Sequence, residues 1–295
     1  MTKYLRSSTP MHERKESQRK LKKIIFLATE GAVTEPSYFN CLGNHLENKL
    51  IRLEILKRER NKGNSALTHV LDLLEECVKL RNEEYYIKPE DLSRLQIIPV
   101  EFSAEFISDF LNENTSKYDS SMVNKFIKAI PNFEIDLLYH KFLRNLNSKI
   151  DVFGIVIDCD FSTSEEKHNK VRREQIREIV DHCINKFYQF YITNPSFDFW
   201  LLLHLQNMAE ITDEEKSNYF KNQKVSNIHT FTSKRVSKLA NHRKRITKGV
   251  FEKFYLPNIK KAISQAELFS TKYPEILDNL GTNLPDLFKI LDNED

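Results

Sequence analysis

Two short apolar segments, each followed directly by acidic residues, constrain the fold of this chain most strongly. Residues 23–29 (KIIFLAT) lead into Glu30, and residues 151–157 (DVFGIVI) lead into Asp158 and Asp160. Apolar runs of this length, bounded by turn residues, are typical of strands buried on both faces of a parallel sheet. Because the carboxyl ends of parallel strands share one edge, the pattern predicts that the three carboxylates lie close together.

The rest of the pattern alternates between strand and helix. The stretch 34–50 carries an apolar stripe at helical spacing, and 51–56 alternates as a strand does. Helix, strand and apolar helix patterns recur after Asp160, over 165–187, 190–192 and 196–206. This order predicts an α/β fold with a parallel sheet flanked by helices.

The same reading divides the chain into regions. Residues 1–22 are predicted to form a basic flexible arm, and 23–207 a catalytic domain. A less regular stretch, about 81–149, is predicted to be a helical insertion into that domain. Residues 208–295 are predicted to form a mainly helical, basic C-terminal region.

Composition and missing motifs exclude several classes of protein. No apolar run approaches the roughly 18 residues that span a bilayer, and the N-terminus is not a secretory signal. The four cysteines form no CxxC pair, which argues against a disulfide framework and a cysteine zinc site and favours a reducing cytoplasm. The sequence contains no GxxxxGK[ST], GxGxxG, HExxH or GxSxG motif, so we do not expect the chain itself to bind ATP in the usual way.

A long basic segment indicates a polyanionic partner. Residues 216–251 contain no Asp or Glu, although the whole chain has a net charge of only +3. A run of this length without an acid favours binding to a nucleic-acid backbone. A solvated surface, or a surface for a protein partner, remains the alternative. The residues predicted to bind nucleic acid are Lys234, Arg235, Lys238, Arg243, Lys244, Arg245 and Lys248.

The acidic residues at the strand ends indicate a divalent cation. Asp158 and Asp160 lie two positions apart, so in an extended backbone their side chains point to the same face. Two carboxylates held close together repel each other unless a cation lies between them. Mg²⁺ (or Mn²⁺) is the cation that we expect, because it prefers carboxylate oxygens as ligands. Glu30 is predicted to be a metal ligand or general acid or base, and Glu35 a further ligand. The alternative is that these acids only cap helices or make a turn soluble.

Three motifs resemble the RloB-like family. They are Glu30–Phe39 (EGAVTEPSYF), Ile157–Asp160 (IDCD) and the segment 194–204 (NPSFDFWLLLH), with a weaker match at 281–287. Position 193 is Thr where the family has Ser, and position 198 is Asp where it has Glu. The resemblance implies a Toprim-type catalytic domain related to OLD-family nucleases, in which an EG motif supplies a glutamate and a DxD motif holds Mg²⁺.

Residues of the third motif are candidates to support the metal ligands. Asp198 lies among aromatic residues, where a carboxylate needs a partner, and Asn194 opens the same motif. The resemblance also implies an antiphage defence effector that works with an ABC-type ATPase, which suits a chain without a P-loop.

Three functions compete at this point. A Mg²⁺-dependent nuclease acting on DNA or RNA, including tRNA, is favoured by the complete set of Glu30, Asp158 and Asp160. A non-catalytic Toprim-like subunit that binds nucleic acid or an ATPase is the alternative. A nucleotidyl transferase is disfavoured, since the sequence has no nucleotide-binding signature. The choice between DNA and RNA and the question of a homo-oligomer both remain open.

Overall fold

The computed structural model describes residues 23–46, 51–56, 66–81, 101–111, 114–129, 151–161, 166–242 and 245–292. These residues fall into two compact units. The first contains the described residues up to 74 and from 152 onward, and the second those between 75 and 151. The predicted arm, 1–22, lies outside the described residues, as do Arg243 and Lys244.

The first unit is built on a five-stranded sheet. Four strands are parallel and the fifth is antiparallel, in the order β2-β1-β3-β4-β5. The predicted α/β class, with a mostly parallel sheet flanked by helices, is therefore confirmed. The strands are β1 (Lys23–Thr29), β2 (Ile51–Ile55), β3 (Val152–Asp158), β4 (Gln189–Asn194) and β5 (Gly281–Thr282).

Helices follow the strands in the predicted positions and make up most of the chain after Phe197. They are α1 (Thr34–Asn44), α2 (Ala66–Arg81), α3 (Ala104–Leu111), α4 (Ser120–Ala129), α5 (Glu166–Lys186), α6 (Phe197–Leu205), α7 (Asp213–Lys221), α8 (Phe231–Ala240), α9 (Lys248–Val250), α10 (Ile259–Ala266) and α11 (Pro285–Asp292). Within the described residues no helix is long and apolar enough to cross a membrane.

The connections around β1 and β3 run in opposite directions. β1 leads through α1 to β2 on one side, and β3 leads through α5 to β4 on the other. Since such crossovers are nearly always right-handed, α1 and α5 cover opposite faces of the sheet. The strand order reverses between β1 and β3, and open α/β sheets bind their ligands outside the carboxyl ends of the strands at such a point.

The α6 helix is apolar on all sides because it is buried on all sides. Its residues from Phe199 to His204 are at most 1% exposed. Phe199 to Leu203 join one hydrophobic cluster with Leu27 of β1, Tyr38 of α1 and residues of α8 and α10. The C-terminal region therefore completes the core of the first unit.

The same region also extends the sheet. The Thr282 hydroxyl lies 3.0 Å from that of Thr193 on β4. The Asn283 amide oxygen accepts the Ile192 N–H at 2.6 Å, and its nitrogen donates to the Phe190 carbonyl at 2.9 Å. A Cβ on Gly281 would overlap the Ser270 backbone. The segment 281–287 thus binds to β4 through hydrogen bonds and extends the sheet; we call it the clamp at β5.

The described part of the predicted insertion is helical and has its own core. Phe102, Phe106, Phe110 and Phe126 are at most 4% exposed. Phe126 contacts the other three rings at centroid distances of 4.9, 5.1 and 4.9 Å. These aromatic contacts explain how two short helices, α3 and α4, form a compact second unit.

Candidate active site

Glu30 continues from the end of β1 and is held in place from three directions. Its backbone N–H donates to the Val156 carbonyl at 2.9 Å, which extends the pairing of β1 with β3. Its carboxylate accepts both contacts from Arg172 Nη2 at 2.8 Å and the N–H of Asp158 at 3.1 Å. The Glu30 and Arg172 side chains are only 11% and 10% exposed, so this ion pair is well shielded from solvent.

Arg172 fixes the end of β3 as well. Its Nη2 donates to the Asp158 carbonyl at 2.7 Å, and its Nε donates to the Cys159 carbonyl at 3.2 Å. Sequence analysis missed this residue. The available signal was its position on α5, where it continues the buried stripe formed by Ile176, Val180 and Cys183. A charged residue on such a stripe needs a buried partner.

Asp158 and Asp160 face the start of α6. Asp158 Oδ1 accepts the N–H of Phe197, the first residue of that helix, at 2.8 Å. Burial and then the charge of Asp160 raise the pKa of Asp158 well above its usual range. Desolvation by the surrounding groups and then the charge of Glu30 raise the pKa of Asp160 to about 6, although Asp160 keeps a solvent-exposed surface. Asp160 has a φ of 47° and donates its N–H to the Pro195 carbonyl at 2.9 Å.

Glu35 brings a fourth carboxylate to the same place from the first turn of α1. It is 5% exposed, and a Cβ on Gly31 would overlap its carboxylate, so this group lies directly over the glycine of the EG motif. Burial raises the pKa of Glu35 to about 7, its own N–H opposes that shift, and the charges of Asp198, Glu30 and Asp160 add to it.

A cleft of about 760 Å³ collects these groups. Glu35, Asp158, Asp160 and Asp198 line it, and a loop from the basic segment forms another part of its wall. Glu30 is not one of the lining residues, but its carboxylate contacts the Asp158 N–H and Arg172. The structure therefore brings the predicted carboxylates together, with Glu30 adjoining the cleft through Asp158.

Asn194 has a structural position. Its side chain is 1% exposed, and Nδ2 donates to the Ile276 carbonyl at 2.8 Å. It does not line the cleft. Its predicted role beside the metal ligands stays a prediction, whereas Asp198 of the same motif does reach the cleft.

The predicted nucleic-acid residues lie away from the cleft. None of the five that the structure describes is among its lining residues. Lys234 and Lys238 are exposed on α8, and Arg235 donates to the Gln206 side chain at 2.8 Å. Arg245 is exposed, and Lys248 lies 3.8 Å from Glu252. Among the described residues of this segment, Lys224, His229 and His242 do line the cleft.

His204 belongs to the core. Its Nδ1 contacts the Trp200 carbonyl at 2.9 Å, and its Nε2 contacts the Tyr38 hydroxyl at 3.1 Å. This arrangement fits a neutral ring that donates from Nδ1 and accepts at Nε2. Burial lowers the pKa of His204 to about 3, which agrees with a neutral ring held in the core.

The chemistry of the cleft fits a hard divalent cation. Carboxylate oxygens are preferred Mg²⁺ ligands, and a cation would relieve the mutual repulsion that adds to the effect of desolvation on these pKa values. As arranged, the described residues include no group of three His, Cys, Asp or Glu side chains placed to hold a metal. The donors suit a hard cation by their chemistry, and Mg²⁺ commonly takes only one or two carboxylates and keeps several of its waters.

The family model for RloB-like proteins matches residues 25–291, which is nearly the whole chain. No curated protein and no solved structure matches. The match spans both strand-end motifs, the α6 motif and the clamp at β5. The chain therefore belongs to the RloB-like family.

Proposed function

We propose that the protein is a divalent-metal-dependent nuclease of Toprim type that cleaves phosphodiester bonds in DNA or RNA, with tRNA among the candidates. The observation that carries the proposal is the convergence of Glu35, Asp158, Asp160 and Asp198 on one cleft. This cleft lies at the carboxyl ends of β1 and β3, where the strand order reverses and where functional groups of α/β folds collect.

The carboxylates on the cleft would hold the metal. Asp158, Asp160 and Glu35 are the proposed ligands, and Asp198 stands beside Glu35. Bound Mg²⁺ or Mn²⁺ supplies a Lewis acid for the phosphate and lowers the pKa of a bound water. Asp158 is oriented by the Phe197 N–H, and Gly31 leaves room for the Glu35 carboxylate.

Glu30 is proposed to act from beside these ligands. It accepts the Asp158 N–H and the Arg172 guanidinium, and so fixes the position of the DxD turn. A direct role in proton transfer, as the EG motif implies, requires the Arg172 pair to open. In this proposal, the Arg172–Glu30 ion pair decides whether Glu30 can take part in proton transfer.

The cellular setting is also a proposal. We infer a cytoplasmic effector in a bacterial antiphage system, working with an ABC-type ATPase, because the RloB-like motifs imply that context. The lack of a P-loop in the sequence supports a partner that provides ATP hydrolysis.

One observation favours a second candidate, a non-catalytic subunit that binds nucleic acid or the ATPase. Arg172 contacts both oxygens of Glu30. This ion pair occupies the carboxylate that the EG motif would use in catalysis. The two candidates differ in whether the purified protein cuts a phosphodiester bond.

A cleavage assay separates them. Labelled single-stranded DNA, duplex DNA and tRNA are incubated with the protein in Mg²⁺, Mn²⁺, Ca²⁺ or EDTA. We expect cleavage in Mg²⁺ or Mn²⁺, little in Ca²⁺ and none in EDTA. Asp158→Asn should abolish it, whereas Asp292→Asn, an exposed control on α11, should leave it unchanged. Cleavage that survives chelation, or equal rates for Asp158→Asn and wild type, would overturn the proposal.

A further inference from the structure

A short hairpin, residues 224–230, forms part of the cleft wall. Lys224 pairs with Thr230 in an antiparallel bridge. The His229 carbonyl accepts the N–H groups of Val225 and Ser226 at 2.9 and 3.1 Å, and the Ser226 hydroxyl accepts the His229 N–H at 3.1 Å. These bonds close the turn on itself, so the hairpin has a defined shape.

The base of the hairpin is fixed to the neighbouring helices. Asn222 ends α7 with a φ of 43°, and its side-chain oxygen accepts the Thr232 N–H at 3.0 Å. The Gln223 carbonyl accepts the Phe231 N–H at 2.8 Å. Thr230 then caps α8 by accepting the Ser233 N–H. The hairpin is therefore presented to the cleft by two helix ends rather than by a loose loop.

The hairpin adds a cationic group and further polar groups to the cleft that the carboxylates line. Lys224 contributes an exposed ammonium, and Asn227, His229 and Thr230 contribute further hydrogen-bonding groups. Ile228 lines the same cleft although it is 66% exposed. A phosphate backbone is held by cationic and polar groups, and an exposed aliphatic side chain can pack against an unstacked base.

We infer that the 224–230 hairpin holds an unpaired nucleic-acid strand against the carboxylates, with Lys224 on a backbone phosphate and Ile228 on a base or ribose. The inference rests on the proposed function and narrows its substrate to single strands or locally opened regions. The cleft volume, about 760 Å³, lies in the range of about 300–1,000 Å³ of small-molecule sites. A cleft of this volume fits a short length of nucleic-acid backbone and one unstacked base better than an intact duplex.

Binding is measured by fluorescence anisotropy in Ca²⁺, with a fluorescein-labelled 12-nucleotide DNA strand, its RNA counterpart and the blunt DNA duplex. We expect a single strand to bind at least about tenfold more tightly than the duplex. Lys224→Gln should weaken that binding about three- to tenfold and lower the log–log salt slope by about 0.7, the value for one phosphate contact on a single strand. Ile228→Ser should weaken it about threefold or more, with an unchanged salt slope.

Two matched controls test whether position matters. Lys260 is an exposed lysine on α10, and Leu268 is an aliphatic residue that is 52% exposed; neither lines the cleft. Lys260→Gln and Leu268→Ser should bind as wild type does. The inference is overturned if the duplex binds as tightly as both strands, if the hairpin variants behave like the controls, or if wild type binds none of the probes.

Cleavage of the same probes in Mg²⁺ separates this inference from the proposed function. If wild type cleaves and the hairpin variants retain wild-type binding, the hairpin inference fails and the nuclease stands. If wild type binds through the hairpin without cutting any probe, the nuclease fails and the hairpin site stands.

Discussion

Replacing Glu35 with Gln should stabilise the metal-free protein at alkaline pH. The Glu35 carboxylate is 5% exposed and shares its surroundings with the charges of Asp198, Glu30 and Asp160. Glutamine keeps the volume of the side chain and removes its charge. The substitution therefore removes the cost of holding a buried, repelled carboxylate in its ionised form.

The magnitude follows from the pKa. In the folded protein the pKa of Glu35 rises from 4.5 to about 7, so the native state binds the proton more tightly than the unfolded state does. The resulting stabilisation is complete below pH 4.5 and is lost as the pH rises through about 7. At about 1.4 kcal/mol per pKa unit, the total is about 3 kcal/mol, and most of it disappears between pH 5 and pH 8.5.

The assay is urea unfolding in EDTA at pH 5 and pH 8.5. Trp200 is the single tryptophan and is fully buried, so its fluorescence reports unfolding of the core around the sheet. The free energy of unfolding of Glu35→Gln, relative to wild type, should be higher at pH 8.5 than at pH 5 by about 2–3 kcal/mol. Glu174→Gln, an exposed control on α5, should show no such dependence.

One result would refute this reasoning. If the difference between Glu35→Gln and wild type is the same at both pH values, Glu35 is not held at a raised pKa. Burial and the neighbouring carboxylates then do not penalise the ionised form of Glu35 as the geometry indicates.

Further substitutions test the contacts around the cleft. Arg172→Gln should lower the free energy of unfolding by about 3–5 kcal/mol, because it removes the cation that pairs with the shielded Glu30 carboxylate. The Glu30→Gln/Arg172→Gln double variant should recover part of that loss when measured by urea unfolding. Strictly additive losses would show that the pair is not coupled. Gly31→Ala should lower the melting temperature less than Gly281→Ala does, because its Cβ would overlap only the Glu35 carboxylate, the movable end of a side chain, and Glu35→Ala should restore the loss. Gly281→Ala should be destabilising without rescue by Ser270→Ala, because the overlap there is with the Ser270 backbone; rescue in that second case would contradict the clamp at β5.

The sequence predicted the elements whose apolar pattern is uninterrupted. β1 and β3 are buried on both faces, so their apolar runs and the acids behind them were visible without a structure. The apolar helix α6 was visible for the same reason, since the C-terminal helices cover the side that the sheet does not. The approach of Glu30 to the end of β3, where its carboxylate accepts the Asp158 N–H, followed from parallel strands ending together.

Features that depend on a distant partner could not be read in this way. β5 has two residues and is defined by the contacts of Thr282 and Asn283 with β4, which lies about 90 positions earlier in the chain. Arg172 carried a signal, a cation on a buried helical stripe, but the identity of its partner Glu30 required the fold.

The basic segment shows a second limit of prediction from the sequence. A count of charges gives the sign of a segment and says nothing about which side chains point where. Lys234 and Lys238 lie on α8 outside the cleft, whereas Lys224 of the same segment lines it. Their roles in nucleic-acid binding stay predictions, which Lys234→Gln and Lys238→Gln would test in the same anisotropy experiment.

The most direct test of the account is a Mn²⁺ titration followed by electron paramagnetic resonance, which measures the free ion. Wild-type protein at pH 7.5 should bind Mn²⁺ at the cleft, Mg²⁺ should displace it, and Asp158→Asn should lose this binding while Asp292→Asn retains it. Equal Mn²⁺ binding by wild type and Asp158→Asn would contradict the central claim, that the carboxylates gathered at the ends of β1 and β3 form a divalent-cation site.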